Sequence, residues 1–137
     1  MRTFGNRGKS ATGESSVGQV IYSRPVISGQ AEGKLLVSYE PLSFWGGFDQ
    51  HSGEIIDRRH HQSGQNAAGR ILALPFTRGS STTTTVLVEA VRAKVAPVAI
   101  ISTGVDKVLA LASILANELY GHLLPVVALQ PHEFKQL

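Results

Sequence analysis

The sequence contains no cysteine. That excludes disulfides, thiolate nucleophiles, Cys-type zinc sites and an iron–sulfur cluster held by this chain's own thiolates. Metal chemistry would need His, Asp or Glu, or a second chain. No apolar run is long enough to span a membrane, so no membrane association is expected. The first residues, MRTFGNRGKSATGESS, have no apolar h-region and do not read as a secretory signal. A cytoplasmic location is the expectation. Aromatic residues are only 7% of the chain, and no basic stripe interleaves with them. The footprint of a DNA or RNA binder is therefore missing.

The positive excess is small and unevenly placed. The net charge is +3. Arg2, Arg7 and Lys9 stand against Glu14 near the start, while residues 86–137 hold equal numbers of acids and bases. The chain has 137 residues, of which 42% are hydrophobic and 17% charged. That suits one folded α/β domain with a real core. Residues 1–16, rich in Gly, Ser and Thr, are expected to form a flexible tail, and 17–137 a single domain.

The first half reads as strands and turns. Val17–Ser23 and Lys34–Tyr39 carry β-branched and aromatic residues and are expected to be strands, the first broken by Pro25 and Ser28-Gly29. Pro41–Asp49 reads as an apolar, Gly-broken loop, Glu54–Asp57 as a short strand, and Arg58–Gly69 as a polar loop. The second half reads β-α-β-α-β. Arg70–Pro75, Val98–Ser102 and Pro125–Leu129 are short, continuously apolar strands, and Phe76–Ser81 is a turn. Thr82–Lys94 places Val86, Leu87, Ala90 and Val91 on one helical face. Asp106–Tyr120 places Val108, Leu111, Leu115 and Leu119 at helical spacing, with Gly121 as its stop. Such strands, joined by helices, pair in parallel.

Leu74–Thr85, LPFTRGSSTTTT, is the segment that carries chemistry. A strand runs through Arg78-Gly79-Ser80-Ser81 into a helix. The first turn of a helix offers unpaired N–H groups and the positive end of its dipole, which suits a carboxylate or phosphate. A hydroxyl losing its proton there would also be stabilised. The structural alternative is an ordinary capped helix start after a Gly turn. The segment is neither a P-loop nor a G-x-S-x-G elbow. The run Thr82–Thr85 has poor helix propensity, which points to a substrate-facing start or to tolerance of weak formers.

Two other segments stand out. His60-His61 are adjacent, and in an extended segment they would point to opposite sides, so a solvated loop is expected rather than a metal site. Phe44-Trp45-Gly46-Gly47-Phe48-Asp49 reads either as a binding loop or as a loop folded onto the core, with Asp49 capping a turn.

These segments together resemble the small subunit, or swivel domain, of the aconitase X family. The resemblance is carried by SFWGGFDQHSGEIID (Ser43–Asp57), GRILALPFTRGSS (Gly69–Ser81), Ala96–Ser102, LLPVVAL (Leu123–Leu129) and the Gly29–Gly33 turn. It spans roughly residues 18 to 130. The resemblance implies a swivelling β/β/α domain that closes over the active site of a larger, cysteine-bearing, aconitase-like subunit. That partner would hold an iron–sulfur cluster, and this chain would bind no cofactor or metal itself. The resemblance further implies that Ser80 is the catalytic base of a hydro-lyase, in which a hydroxy acid loses a proton and a neighbouring hydroxyl. Gly79, Ser81, Thr82 and Arg78 would then serve substrate binding, with Arg78 the nearest cation in sequence. Aconitases follow Gly-Ser-Ser with Arg-Glu-His, whereas this chain has Thr82-Thr83-Thr84, which fits a substrate with fewer carboxylates.

Two activities accompany the family, cis-3-hydroxy-L-proline dehydratase and phosphomevalonate dehydratase. The polar N-terminal stretch and the Ser-Ser-Thr-Thr run favour the first. A different class of function is a non-catalytic module binding an anionic metabolite at the same turn. A phosphohistidine-type swivel domain ranks last, because none of His51, His60 and His61 follows a strand and opens a helix.

Overall fold

The computed structural model describes residues 2–5, 19–22, 24–78 and 81–137. The elements in order are β1 (Arg2–Gly5), β2 (Gln19–Tyr22), β3 (Arg24–Ile27), β4 (Ala31–Gly33), β5 (Leu35–Val37) and β6 (Leu42–Ser43). Then follow a single turn α1 (Phe44–Gly47), β7 (Ile71–Leu74), β8 (Thr77–Arg78) and α2 (Ser81–Arg92). The chain closes with β9 (Ala99–Thr103), α3 (Lys107–Tyr120), β10 (Val126–Leu129) and a final turn α4 (Pro131–Phe134).

The main sheet has the order β3-β10-β9-β7-β5. Strands β5, β7, β9 and β10 run parallel, as their apolar character predicts. All four residues of β7 and of β10 are buried. Alternation along the strands sends side chains to two separate cores. Leu72, Leu74, Ile100 and Val126 join Val86, Leu87 and Ala90 of α2 and Leu109 and Ala112 of α3. Ile71, Ala73, Ala99, Ile101, Val127 and Leu129 pack on the opposite face with Phe134 of α4.

Several expectations are corrected. Pro25 does not end a strand but lies inside β3, which pairs antiparallel with β10 at the sheet edge. An edge is where a residue without an N–H is tolerated, and the register shifts between Val126 and Val127 beside it. Part of the Gly29–Gly33 turn is strand β4, paired with β1. Arg2–Gly5 form strand β1, and the rest of the 1–16 stretch expected as a tail lies outside the described residues. Thr77–Arg78, expected in a turn, pair in parallel with Leu42–Ser43.

Helix α2 buries Val86, Leu87, Ala90 and Val91, as its periodicity predicts. Helix α3 does not follow the prediction. It buries Leu109, Ala112, Ser113 and Ala116, while Leu111 and Leu119 face outward at 48% and 61% exposure. The helix carries two apolar stripes, and the one with small residues faces in. Alanine and serine allow close approach to neighbouring elements, which outweighs the larger leucines opposite. The stop is as expected: Gly121 adopts φ 63°, and its N–H donates to Asn117 O.

One loop glycine is fixed by its surroundings. Gly53 has φ +85°, and a Cβ there would lie 2.7 Å from Val95 O and 2.9 Å from the Ala68 Cβ. The 49–57 loop therefore sits tightly against the exit of α2.

Candidate functional site

Four parallel strands end at one edge of the main sheet, and the elements that follow them meet there. Strand β7 leads through Pro75 and Phe76 into β8, and Gly79-Ser80 link β8 to α2. Open parallel sheets bind ligands at this carboxyl edge. Helix α2 has no acidic residue in its first turn and has Arg92 in its last. Its positive end is thus uncompensated at the edge, while Arg92 offsets the other end. Arg92 also pairs with Glu89, whose carboxyl that guanidinium holds below its ordinary range.

Of the residues assigned to the site from sequence, Gly79 and Ser80 lie outside the described residues. Ser81 opens α2, and Thr82 beside it is exposed. Arg78 ends β8 and is exposed. The threonine run divides. Thr83 is fully buried, and its hydroxyl donates to Arg78 O at 3.2 Å. Thr84 is also buried, and its Oγ1 has no hydrogen-bond partner among the described residues. The poor helix formers are therefore partly structural: Thr83 closes the β8–α2 connection against the helix it begins.

A residue the sequence reading did not single out anchors the other side of this connection. Asp106 caps α3, its Oδ1 accepting from Val108 N at 3.0 Å and Leu109 N at 3.2 Å. Its Oδ2 accepts from Thr77 N at 3.1 Å and from Thr77 Oγ1 at 2.8 Å. The capping role is legible, since Asp precedes a helical pattern. The link to Thr77, 29 residues away, follows only from the fold.

The edge also gathers apolar surface. Tyr39, Phe76 and Val105 are exposed large side chains that follow the ends of β5, β7 and β9, and the exposed Trp45 follows β6 of the separate two-stranded sheet. The 44–49 loop is folded onto the core, the second of its two expected readings. Phe44 and Phe48 are buried with ring centroids 5.2 Å apart, while Trp45 is 68% exposed. Asp49 caps a turn by accepting from His51 N and Ser52 Oγ, each at 2.9 Å. These two bonds, the His51 one foremost, hold its carboxyl below the ordinary range.

The expectation of a solvated His60-His61 pair is corrected. His60 is buried, and the two rings stack with centroids 4.9 Å apart. The segment turns rather than extends, so adjacent side chains share a side. With Glu40 they form a cluster whose ligand atoms lie within 4.8 Å of one another. Those atoms are already engaged. His60 Nδ1 accepts from Gln62 N at 3.0 Å, and Nε2 lies 2.9 Å from Ser38 Oγ. His61 Nε2 accepts from Tyr39 N at 3.1 Å, and Glu40 Oε2 accepts from His61 N at 2.9 Å. The cluster ties the 58–64 loop to the end of β5.

Among the described residues, no helix is long and apolar enough to cross a membrane. Comparison with known proteins places the fold. The chain is 46% identical over 110 residues to a cis-3-hydroxy-L-proline dehydratase of Pseudomonas aeruginosa, a match covering 80% of this chain and 19% of that protein. It is 36% identical over 94 residues to the phosphomevalonate dehydratase small subunit of Methanothermobacter thermautotrophicus, covering 69% of this chain and 72% of that one. The chain thus spans about a fifth of the first relative and most of the second. The crystal structure of Thermococcus kodakaraensis aconitase X in its holo form superposes with a TM-score of 0.70 at 33% identity, covering 77% of this chain and 76% of that chain. The family model for the aconitase X swivel domain matches residues 20–137. By sequence and by fold alike, this chain belongs to the aconitase X swivel-domain family.

Proposed function

We propose that this chain is the small-subunit half of a two-part hydro-lyase, with Ser80 as base and cis-3-hydroxy-L-proline as substrate, giving a pyrroline carboxylate. The observation that carries this reading is the 46% identity to a protein of that activity. The start of α2 supports it: no acidic residue stands in its first turn, so the free amides there can receive a carboxylate.

The role of each residue follows from the chemistry. A proton must leave the carbon beside a carboxylate, and a hydroxyl must leave the neighbouring carbon. Serine is a poor base unless its alkoxide is stabilised. The amides and dipole of a helix start supply that stabilisation when water is excluded. In this reading Ser80 Oγ takes the proton. Gly79, Ser81, Thr82 and the amides of the first turn of α2 hold the substrate carboxylate, and Arg78 adds positive charge. The exposed rim of Tyr39, Trp45, Phe76 and Val105 would seal the edge against a partner.

The residues of this chain do not fit an iron–sulfur cluster. There is no cysteine, and the Glu40–His60–His61 group has both nitrogens of its buried histidine engaged. The cluster is assigned in this reading to a cysteine-bearing, aconitase-like large chain, which would supply Lewis acid chemistry toward the leaving hydroxyl. The relative named as a small subunit supports a separate partner.

A second reading is favoured by that same match: the small subunit of a phosphomevalonate dehydratase. The test is to co-express the chain with its large partner and assay dehydration of both substrates. Turnover of cis-3-hydroxy-L-proline that vanishes with Ser80→Ala, while the complex still forms, is the expected result. Near-full activity of that variant would overturn the assignment of Ser80. Turnover of phosphomevalonate alone would select the second reading. Tight binding of an anionic metabolite to the isolated chain, without turnover by the pair, would favour a non-catalytic module.

A further inference from the structure

We infer that Asp106 is a positioning residue for the base: its carboxylate grips Thr77 and thereby fixes the strand end from which Arg78, Gly79 and Ser80 follow. The inference rests on the reading of Ser80 given above, and it deepens that reading by naming what holds the base's approach in place.

Strand β8 needs such a hold. It is two residues long and, among the described residues, pairs only with the two residues of β6. A ladder that short cannot by itself fix the direction of the connection that follows. Its two ends are instead pinned to two different helices. From α3, Asp106 Oδ2 takes both the N–H and the hydroxyl of Thr77, at 3.1 and 2.8 Å. From α2, the Thr83 hydroxyl donates to Arg78 O at 3.2 Å.

The support behind Asp106 is rigid. Its other oxygen accepts the first free amides of α3, and α3 is set into the core by Leu109, Ala112 and Ala116. Force on Thr77 is therefore passed to a helix packed against the core rather than to a loop. Capping alone would use one oxygen, and Ser, Thr or Asn would serve equally well. The second oxygen, with both of its bonds directed at Thr77, exceeds what a cap requires.

The connection matters because a base works only within a narrow range of positions. A displacement of about 1 Å at a reacting group can cost on the order of a hundredfold in rate. Asp106 touches no reacting atom in this account; it acts through Thr77.

The test compares Asp106→Asn, Thr77→Val and Thr77→Ser in the full chain. Asparagine still caps α3 but brings an amide N–H₂ or a weaker acceptor to Thr77. Valine keeps the shape of threonine and removes the hydroxyl donor. Serine restores it. Two readouts are taken. The first is the rate at which trypsin cuts after Arg78 in the folded chain, followed by mass spectrometry. The second is kcat and KM of the complex with the large partner.

The expected result is faster cleavage after Arg78 in Asp106→Asn and Thr77→Val, with kcat lowered about tenfold or more and KM changed by less than about threefold. Thr77→Ser returns both readouts toward wild type. Unchanged cleavage in both broken variants overturns the grip itself, whatever the activity. Faster cleavage with unchanged kcat overturns its link to the base. If the wild-type complex dehydrates neither substrate, the functional reading fails, while the cleavage comparison still decides whether Asp106 holds this connection. Should Asp106→Asn fail to fold, the Thr77 pair carries the same comparison.

Discussion

His60 Nε2 lies 2.9 Å from Ser38 Oγ, and the histidine is the donor of that bond. Its Nδ1 accepts the Gln62 N–H, so in the neutral ring Nε2 carries the proton. Ser38 in turn donates to Glu40 O at 2.6 Å. A Ser-His pair arranged this way cannot activate its serine. Removing Ser38 Oγ would leave a buried N–H without an acceptor. Ser38→Ala should therefore cost about 1–3 kcal/mol of stability in denaturant unfolding, with turnover per folded complex unchanged. Loss of turnover in a fully folded Ser38→Ala complex would show that the pair does chemistry after all.

Helix α3 gives a second prediction, because its two apolar stripes have opposite fates. Leu111→Ser and Leu119→Ser change outward-facing side chains and should shift the unfolding free energy of the isolated chain by no more than about 0.5 kcal/mol each. Ala112→Leu and Ala116→Leu add volume where none is free and should each cost about 1–3 kcal/mol. Urea titrations of the four variants check the order. The reverse order would mean that the helix is rotated from the orientation described.

Asp49 predicts a pH effect. The His51 N–H and the Ser52 hydroxyl lower its pKa in the folded chain below the ordinary value of 3.8. A carboxyl depressed by folding stabilises the native state above its unfolded pKa, and that contribution is lost as pH falls through the folded pKa. Wild type should thus melt higher than Asp49→Asn near neutral pH, and the gap should close in strong acid. A gap that stays constant, or widens, on acidification would contradict the assignment.

The parts of the fold that were readable in the sequence are those with local causes. The runs ILAL, AIIST and VVAL are apolar on both faces, so they read as central parallel strands without further information. The face of α2 follows from one stripe. That of α3 does not, because periodicity finds both stripes and gives more weight to leucine than to alanine. Packing reverses that weighting. Strands β4 and β8 are too short to show alternation and exist through their partners β1 and β6. Pro25 signals a break, yet an edge position removes the penalty.

The same division runs through the site. The Arg78–Thr82 motif is contiguous, so it can be read along the chain. The bonds from Asp106 to Thr77 and from His60 to Ser38 join residues 29 and 22 positions apart, and no local signal announces them. The buried histidine was missed for the same reason, since its burial depends on β5 and not on its polar neighbours.

The sheet also separates the molecule into two workable compartments. Residues of β7, β9 and β10 that meet α2 and α3 do not meet Phe134, and those that meet Phe134 do not meet the helices. Changes made on the two faces should combine close to additively. The Phe134 side is therefore the place to harden this domain by engineering, while the helix side keeps the spacing its motif depends on.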